Sequence, residues 1–269
     1  MTRPPLLRRL ETGRRLTIVL DDARRQNALS AEMVAEIELA LDGARDPNLA
    51  ALVIEGAHGV FSAGADLKAL SEALARPPAA GAADPLQALN AAGGRFFARL
   101  AALPFVVIAV VDGAAVGGGM GLACAADIVI ATARARFALA ETSLGVPPAQ
   151  IAPYLLARLG ERVARRLALT GAKLDGREAQ ALGLADFFCE SEAERDARLA
   201  ALIEDIERCA PGANAETKRL FRAARAESPE AYIETAAKSF AQALRGPEGR
   251  EGLAAFMEKR APRWARGTK

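Results

Sequence analysis

Two glycine-rich turns hold the residues best suited to chemistry. One reads Ser62-Ala63-Gly64-Ala65-Asp66, and the other contains three consecutive glycines, Gly117, Gly118 and Gly119. Each follows an apolar run that reads as a strand, AALVIE before the first and VVIAVV before the second, and each opens into a helix start. A strand, a turn and a helix start leave backbone N–H groups unpaired at the positive end of a helix dipole. Glycine lets a ligand approach that backbone closely. Such a place suits negative charge, either a phosphate or an oxyanion that develops during a reaction. Two junctions from separate parts of the chain can aim two donors at one oxygen, which is what an acyl oxyanion needs. Taken alone, a single glycine cluster also reads as a tight packing turn.

Spacing excludes several familiar sites. A dinucleotide fingerprint would need glycine where Leu122 stands, and no Lys-Ser/Thr pair follows to make a phosphate-binding loop. Ser62 lies outside any Gly-x-Ser-x-Gly elbow. The single histidine, His58, reads as a turn residue rather than a member of a serine triad. Cys124, Cys189 and Cys209 show no metal-ligand spacing and no disulfide framework, which points to a reducing cytoplasm. A net charge of +2 gives no argument for nucleic acid or an anionic membrane. No apolar run approaches the ~20 residues of a membrane span, and MTRPPLLRRLETGRRL lacks the apolar core of a signal peptide. With 269 residues, 51% hydrophobic and 25% charged, the chain fits one large globular domain, with or without an appendage.

The elements that must position the turns follow from periodicity. Leu16–Leu20 reads as a strand and Asp21-Asp22 as a turn. Ser30 is a good N-cap for a helix over Ala31–Leu41, where Met33, Val34, Ile37 and Leu41 share a face. Ala50–Glu55 is the next strand, and a helix starts at Leu67. Residues 71–94 are rich in alanine, proline and glycine without periodicity, so a mobile segment or weak helix is expected. Phe96–Leu103 reads as a short helix before the central strand, which is long and apolar enough to be buried on both faces. Asp127–Thr132 and Ala135–Ala140 read as strands, and Ala152–Leu159, Glu161–Leu169 and Arg177–Leu182 as helices, the last stopped by Gly183. From Ser191 the pattern is nearly all helical, giving an α/β core with a helical C-terminal quarter.

These residues resemble the crotonase superfamily, the enoyl-CoA hydratase/isomerase group. The matching segments are NALS at Asn27–Ser30, FSAGADL at Phe61–Leu67 and AVVDGAAVGGGMGLACAADIVIAT at Ala109–Thr132. RFALAETSLGVPPAQIAPYLLARLG at Arg136–Gly160, LTG at Leu169–Gly171, EAQALGL at Glu178–Leu184 and FMEKRAPRW at Phe256–Trp264 follow in family order. The resemblance implies a right-handed spiral of repeated ββα units over residues 1–195. Residues 196–269 would then be a helical region that builds trimers or dimers of trimers. It implies an acyl-CoA thioester substrate, with coenzyme A as part of that substrate and no further cofactor or metal. Ala65 and Gly118 would supply the oxyanion N–H groups, beside Gly117. Backbone of Ala63, Gly64, Asp66 and Leu67 would hold the adenine end of coenzyme A. Arg24 stands where the family often has a basic residue near the phosphates, and Lys259 would reach a neighbouring subunit's coenzyme; both also read as solvated surface charges.

The pattern departs at one place that bears on chemistry. Family hydratases with two glutamates carry the first just after the glycines, where this chain has Gly121; the second position holds Glu141. Glu141, enclosed by Phe137, Leu139, Leu144 and Val146, would gain proton affinity by desolvation and act as general acid and base. As a plain structural residue it would be a carboxylate at a helix N-terminus. One carboxylate can move a proton between two carbons, as family isomerases do, or assist hydration if something else holds the water. The LGVPPAQIAPYLL segment resembles hydratases of branched glutaconyl-CoA-type substrates. Within it Gln150 could hydrogen-bond water or a distal substrate carboxylate, or be an ordinary helix-start residue. Asp127 reads as structural. The leading expectation is an enoyl-CoA hydratase acting on a branched or polar acyl chain. The alternatives are a Δ3-Δ2 enoyl-CoA isomerase and, from another class, a catalytically weak acyl-CoA-binding or RNA-associated member.

Overall fold

The computed structural model describes residues 4–44, 46, 48–76, 78 and 81–265. A hairpin opens the chain: β1 (Leu7–Thr12) pairs antiparallel with β2 (Arg15–Leu20), and α1 (Ala31–Asp42) follows. Ser30 caps α1 by accepting from the Met33 N–H, as its residue type suggests. The strand β1 gave no sequence signal because all but its first residue are exposed.

Two strands and a helix then recur. The first set is β3 (Ala51–Gly56), β4 (Val60–Ser62) and α2 (Leu67–Leu74). After α3 (Pro85–Ala101) comes the second: β5 (Val106–Val111), β6 (Ala114–Val116) and α4 (Gly118–Ala125). The third is β7 (Ile128–Thr132), β8 (Arg136–Ala138), a 3-10 turn (Glu141–Leu144) and α5 (Ala152–Thr170). Next come β9 (Lys173–Asp175), α6 (Gly176–Ala181) and β10 (Phe187–Cys189). The first strands build a sheet ordered β1-β2-β3-β5-β7-β10, and the second strands build another, β4-β6-β8-β9. This is the expected α/β spiral of ββα units.

The central strands β3, β5 and β7 of the six-stranded sheet are buried on both faces, which explains their unbroken apolar runs. Along β5, Val107, Ala109 and Val111 enter the main core, while Ile108 and Val110 pack into a second cluster on the other face. The helix α7 (Glu192–Glu207) covers that second face with Leu199, Leu202, Ile203 and Ile206. The expected division at residue 195 therefore falls inside a helix packed on the sheet. Beyond it, α8 (Pro211–Ala226), α9 (Pro229–Arg245) and α10 (Pro247–Met257) bury almost no side chains and leave Phe221, Phe240, Leu253 and Phe256 exposed.

One local reading needs refinement and another holds. The weak segment at 71–94 contains the end of α2 and the first half of α3, which begins at Pro85 behind the N-cap Asp84. Only Phe96, Phe97 and Leu100 of α3 are buried, so its first turns carry no apolar period. Pro77, Ala79 and Ala80 lie outside the described residues. The helices expected on either side of Gly160 are present, within α5, which is broken at Gly160 (φ +67°).

Candidate active site

Strand pairing brings the turns together. In the four-stranded sheet β4 runs parallel to β6, and β6 parallel to β8, with Ser62 opposite Ala115 and Val116 opposite Ala138. Parallel neighbours end at the same edge. The residues that follow them, Ala63–Asp66, Gly117–Gly118 and Glu141, therefore emerge side by side. Backbone bonds fix the arrangement: Gly117 N–H donates to the Ala138 carbonyl at 2.8 Å, and Leu29 N–H to the Gly64 carbonyl at 2.7 Å.

The glycines are needed for this closeness. A β-carbon on Gly64, at φ +84°, would overlap the Val116 carbonyl oxygen and stand 2.9 Å from Gly118 N. One on Gly119 would overlap the Ser62 carbonyl oxygen. At Gly118, by contrast, a β-carbon would stand 3.6 Å from Ala65 N. The two backbone nitrogens therefore flank one small space. Neither N–H donates to an acceptor among the described residues. Ala65 is exposed and Gly118 is partly exposed, so the space is open to a ligand. Behind Gly118, α4 is buried from Gly119 to Ala125 and carries no charge, so its positive end faces the space unopposed.

Glu141 lies against the same backbone. Its Oε1 is 2.9 Å from where a β-carbon on Gly117 would stand, and Gly117 adopts φ +52°. Its Oε2 is buried and has no hydrogen-bond partner among the described residues. Burial raises the proton affinity of this carboxyl; the Glu141 backbone N–H opposes the shift, and no charged neighbour contributes. Phe137 and Leu139 are buried, as expected, but Leu144 and Val146 are 60% and 51% exposed and do not enclose the carboxylate. They sit on the turn after Glu141 and point away from the core.

Gly121 is not at the open space. It is buried, and a β-carbon there would overlap Ile151 Cγ2 and stand 2.8 Å from Ile151 Cβ. The volume a first glutamate would need is filled by Ile151, 4% exposed. Gln150, next to it, donates from Nε2 to Asn90 Oδ1 of α3 at 2.7 Å. Its amide packs over Gly94.

The other candidates divide. Asp66 caps α2, accepting from Lys68 and Ala69 N–H at 3.0 and 3.2 Å, and it pairs with Arg25 at 3.4 Å. Its carboxylate is thus occupied by structure. Ala63 N–H is taken by the Gln26 carbonyl, and Leu67 is exposed. Arg24 is exposed with no ion-pair partner among the described residues, whereas adjacent Arg25 is held by Asp22, Glu32 and Asp66. Lys259 stands exposed just past α10 at φ +53°. His58 takes a left-handed turn at φ +61° and bonds Asp21 at 2.6 Å. Ser62 is buried and donates to the Asn27 carbonyl. Asp127 is structural, accepting from Val107 N–H at 2.8 Å and from Lys218 Nζ at 2.5 Å.

Sequence reasoning missed three positions. Ile151 and Asn90 carry no motif of their own. Asn27, inside NALS, bonds Val60 and Ala57 carbonyls and the Asp22 N–H, tying the turn before α1 to that before β4. Asn27 is buried at φ +56°, a conformation that asparagine adopts more readily than most residues, so its residue type was the available signal.

Comparison with known proteins places the chain in a family. The family model described as enoyl-CoA hydratase/isomerase matches residues 15–267. The chain belongs to the enoyl-CoA hydratase/isomerase family. A crystal structure of an enoyl-CoA hydratase/isomerase from Marinobacter aquaeolei superposes with a TM-score of 0.91 at 41% identity, covering 97% of this chain and 99% of that one. Pseudomonas aeruginosa AtuE gives 0.90 at 44% identity, with coverage of 97% and 99%. Among other relatives, mouse mitochondrial methylglutaconyl-CoA hydratase is 30% identical over 267 residues, 96% of this chain and 82% of that protein. This family member is an enzyme, and its crotonase fold carries both turns at the sheet edge described above. Among its described residues no helix is long and apolar enough to cross a membrane.

Proposed function

We propose that the protein is an enoyl-CoA hydratase for a branched or polar acyl chain. The thioester carbonyl oxygen would accept from Ala65 and Gly118 N–H, so that negative charge developing on it is held by two fixed donors and the α4 dipole. Glu141, as carboxylate, takes a proton from water while the water oxygen bonds to the β-carbon. The electron pair of the double bond moves into the thioester enolate. The same carboxyl then returns a proton to the α-carbon, so water is added and Glu141 is regenerated. The observation that carries this reading is the unpartnered, buried Oε2 of Glu141, one residue's reach from the free Gly118 N–H.

Coenzyme A enters as part of the substrate, with no other cofactor or metal in the scheme. Its polar end would run along the Ala63–Leu67 backbone toward Arg24, with Lys259 available to a neighbour's coenzyme. The exposed Phe221, Phe240, Leu253 and Phe256 support assembly of a trimer or dimer of trimers through the helices from α8 onward. Unpaired, buried Cys124 and Cys189 support a reducing, cytoplasmic setting.

A second reading, Δ3-Δ2 isomerisation, is favoured by one observation: Ile151 stands where the first glutamate would begin, which leaves Glu141 as the one acid of the pair. A panel of enoyl-CoA thioesters, scored separately for water addition and double-bond migration, decides between them. Glu141→Gln keeps the shape but cannot exchange a proton, so kcat on the best substrate should fall about a hundred- to ten-thousandfold. A loss below about threefold in a folded variant would remove Glu141 from the mechanism.

A further inference from the structure

Ser62 ends β4 and is fully buried, so its hydroxyl has no access to a ligand. Both of its hydrogen bonds nevertheless bear on the oxyanion donors. It donates to the Asn27 carbonyl at 2.8 Å and accepts from the Gly64 N–H at 3.2 Å. A hydroxyl has one proton to give, so Asn27 fixes its direction and leaves a lone pair for Gly64. Asn27 is itself anchored, its side chain donating to the Ala57 and Val60 carbonyls.

Gly64 is where the hydroxyl matters. Val116 and Gly118 approach too closely to leave room for a side chain there, and the residue stands at φ +84°. Glycine is free to rotate, so the turn has to be fixed from outside. One bond acts on each side of the Gly64 α-carbon: Ser62 Oγ holds its N–H, and Leu29 N–H holds its carbonyl at 2.7 Å. That carbonyl and the Ala65 N–H belong to one planar peptide unit and point in opposite directions. Fixing Gly64 on both sides therefore aims the Ala65 N–H. Ser62 also meets the other arm of the site. A β-carbon on Gly119 would overlap the Ser62 carbonyl oxygen and stand 2.9 Å from Ser62 Cβ, so Ser62 backs onto the first turn of α4, beside Gly118. One buried residue thus touches both arms of the two-donor space.

We infer that Ser62 is a positioning residue for thioester activation: its hydroxyl, acting through Gly64, keeps the Ala65 N–H aimed at the same oxygen as the Gly118 N–H. The inference rests on the proposed thioester site and deepens it. Ser62→Ala would leave the buried Gly64 N–H without a partner and release the turn.

The test uses the whole chain and two readouts. Deleting an oxyanion donor lowers kcat about a hundred- to a thousandfold, and misaiming one should have part of that effect. On the best enoyl-CoA substrate, Ser62→Ala should lower kcat about ten- to a hundredfold, with KM changed less than about threefold. Ser62→Cys keeps the size but offers only a weakly hydrogen-bonding thiol, so its kcat should fall between the two. It also gives the answer if Ser62→Ala does not fold. The second readout is the infrared carbonyl band of bound butyryl-CoA, a saturated and unreactive thioester, isotope-labelled at the carbonyl. Two aimed donors polarise this carbonyl and lower its frequency, and the lowering should be smaller in both variants. A Ser62 that serves stability alone would leave kcat per folded molecule and the bound band at their wild-type values. That result would overturn the assignment and leave the activity in place. A wild type that turns over no enoyl-CoA would overturn the activity, and the carbonyl band would then still decide the role of Ser62. A wild-type band unmoved by binding would overturn the oxyanion site and the assignment together.

Discussion

A methyl group at position 121 should collide with Ile151, and the collision can be measured. The added β-carbon would stand 2.8 Å from Ile151 Cβ and overlap Cγ2, against an optimum of about 3.5–4.0 Å for carbon pairs. Rotation of Ile151 would relieve only the Cγ2 overlap, because its Cβ is fixed to the backbone and its branched side chain has few χ1 choices. Backbone must shift, in a core where Ile151 is 4% exposed and Gly121 is buried. Gly121→Ala should therefore cost about 1–3 kcal/mol, the range for overpacking. Ile151→Ala should cost about 2–5 kcal/mol through the cavity it leaves. Combined, the new methyl no longer meets Cγ2 although it still presses on the Cβ that alanine keeps, so the double variant should be more stable than the sum of the singles by roughly 1–2 kcal/mol. Equilibrium urea unfolding followed by circular dichroism, at one protein concentration, gives all three values. Additivity within about 0.5 kcal/mol would refute the claim that Ile151 occupies the first-glutamate volume. The same geometry predicts that Gly121→Glu is less damaging in the Ile151→Ala background than alone.

Three further outcomes follow from the site. Ala65→Pro removes one donor and should reduce kcat/KM by at least a hundredfold, while Ala65→Ser stays mild; a folded, active proline variant would exclude the Ala65 N–H as a donor. Because burial raises the Glu141 proton affinity, and the proposed base must be ionised, kcat/KM should fall as pH drops through a value above the ordinary 4.5. An acidic limb at or below 4.5, or none, would contradict that role. Light scattering at micromolar concentration should show a trimer or hexamer, and a monomer would leave the exposed aromatic residues from α8 onward without the proposed partner.

The local signals were legible because they are short-range. Apolar runs of VVIAVV and ALVIE type mark strands buried on both faces, and Ser30 marks a helix start, because these preferences act within a few residues. The paired FSAGADL and GGG turns likewise pointed to a two-donor site before any geometry was known. What the chain alone left undecided was every contact between distant segments. Parallel pairing of β4, β6 and β8 sets Ala65, Gly118 and Glu141 at one edge although they are far apart in sequence. Glycine at 121 reads as a missing acid in sequence, and only packing shows that Ile151 fills its place. Glycine at 94 reads as a helix weakener, and only packing shows the Gln150 amide over it. The exposed first half of α3 buries nothing, so no periodicity betrayed it. Backbone propensity is a property of neighbours along the chain, whereas steric exclusion and unpaired hydrogen bonds exist only once distant segments meet.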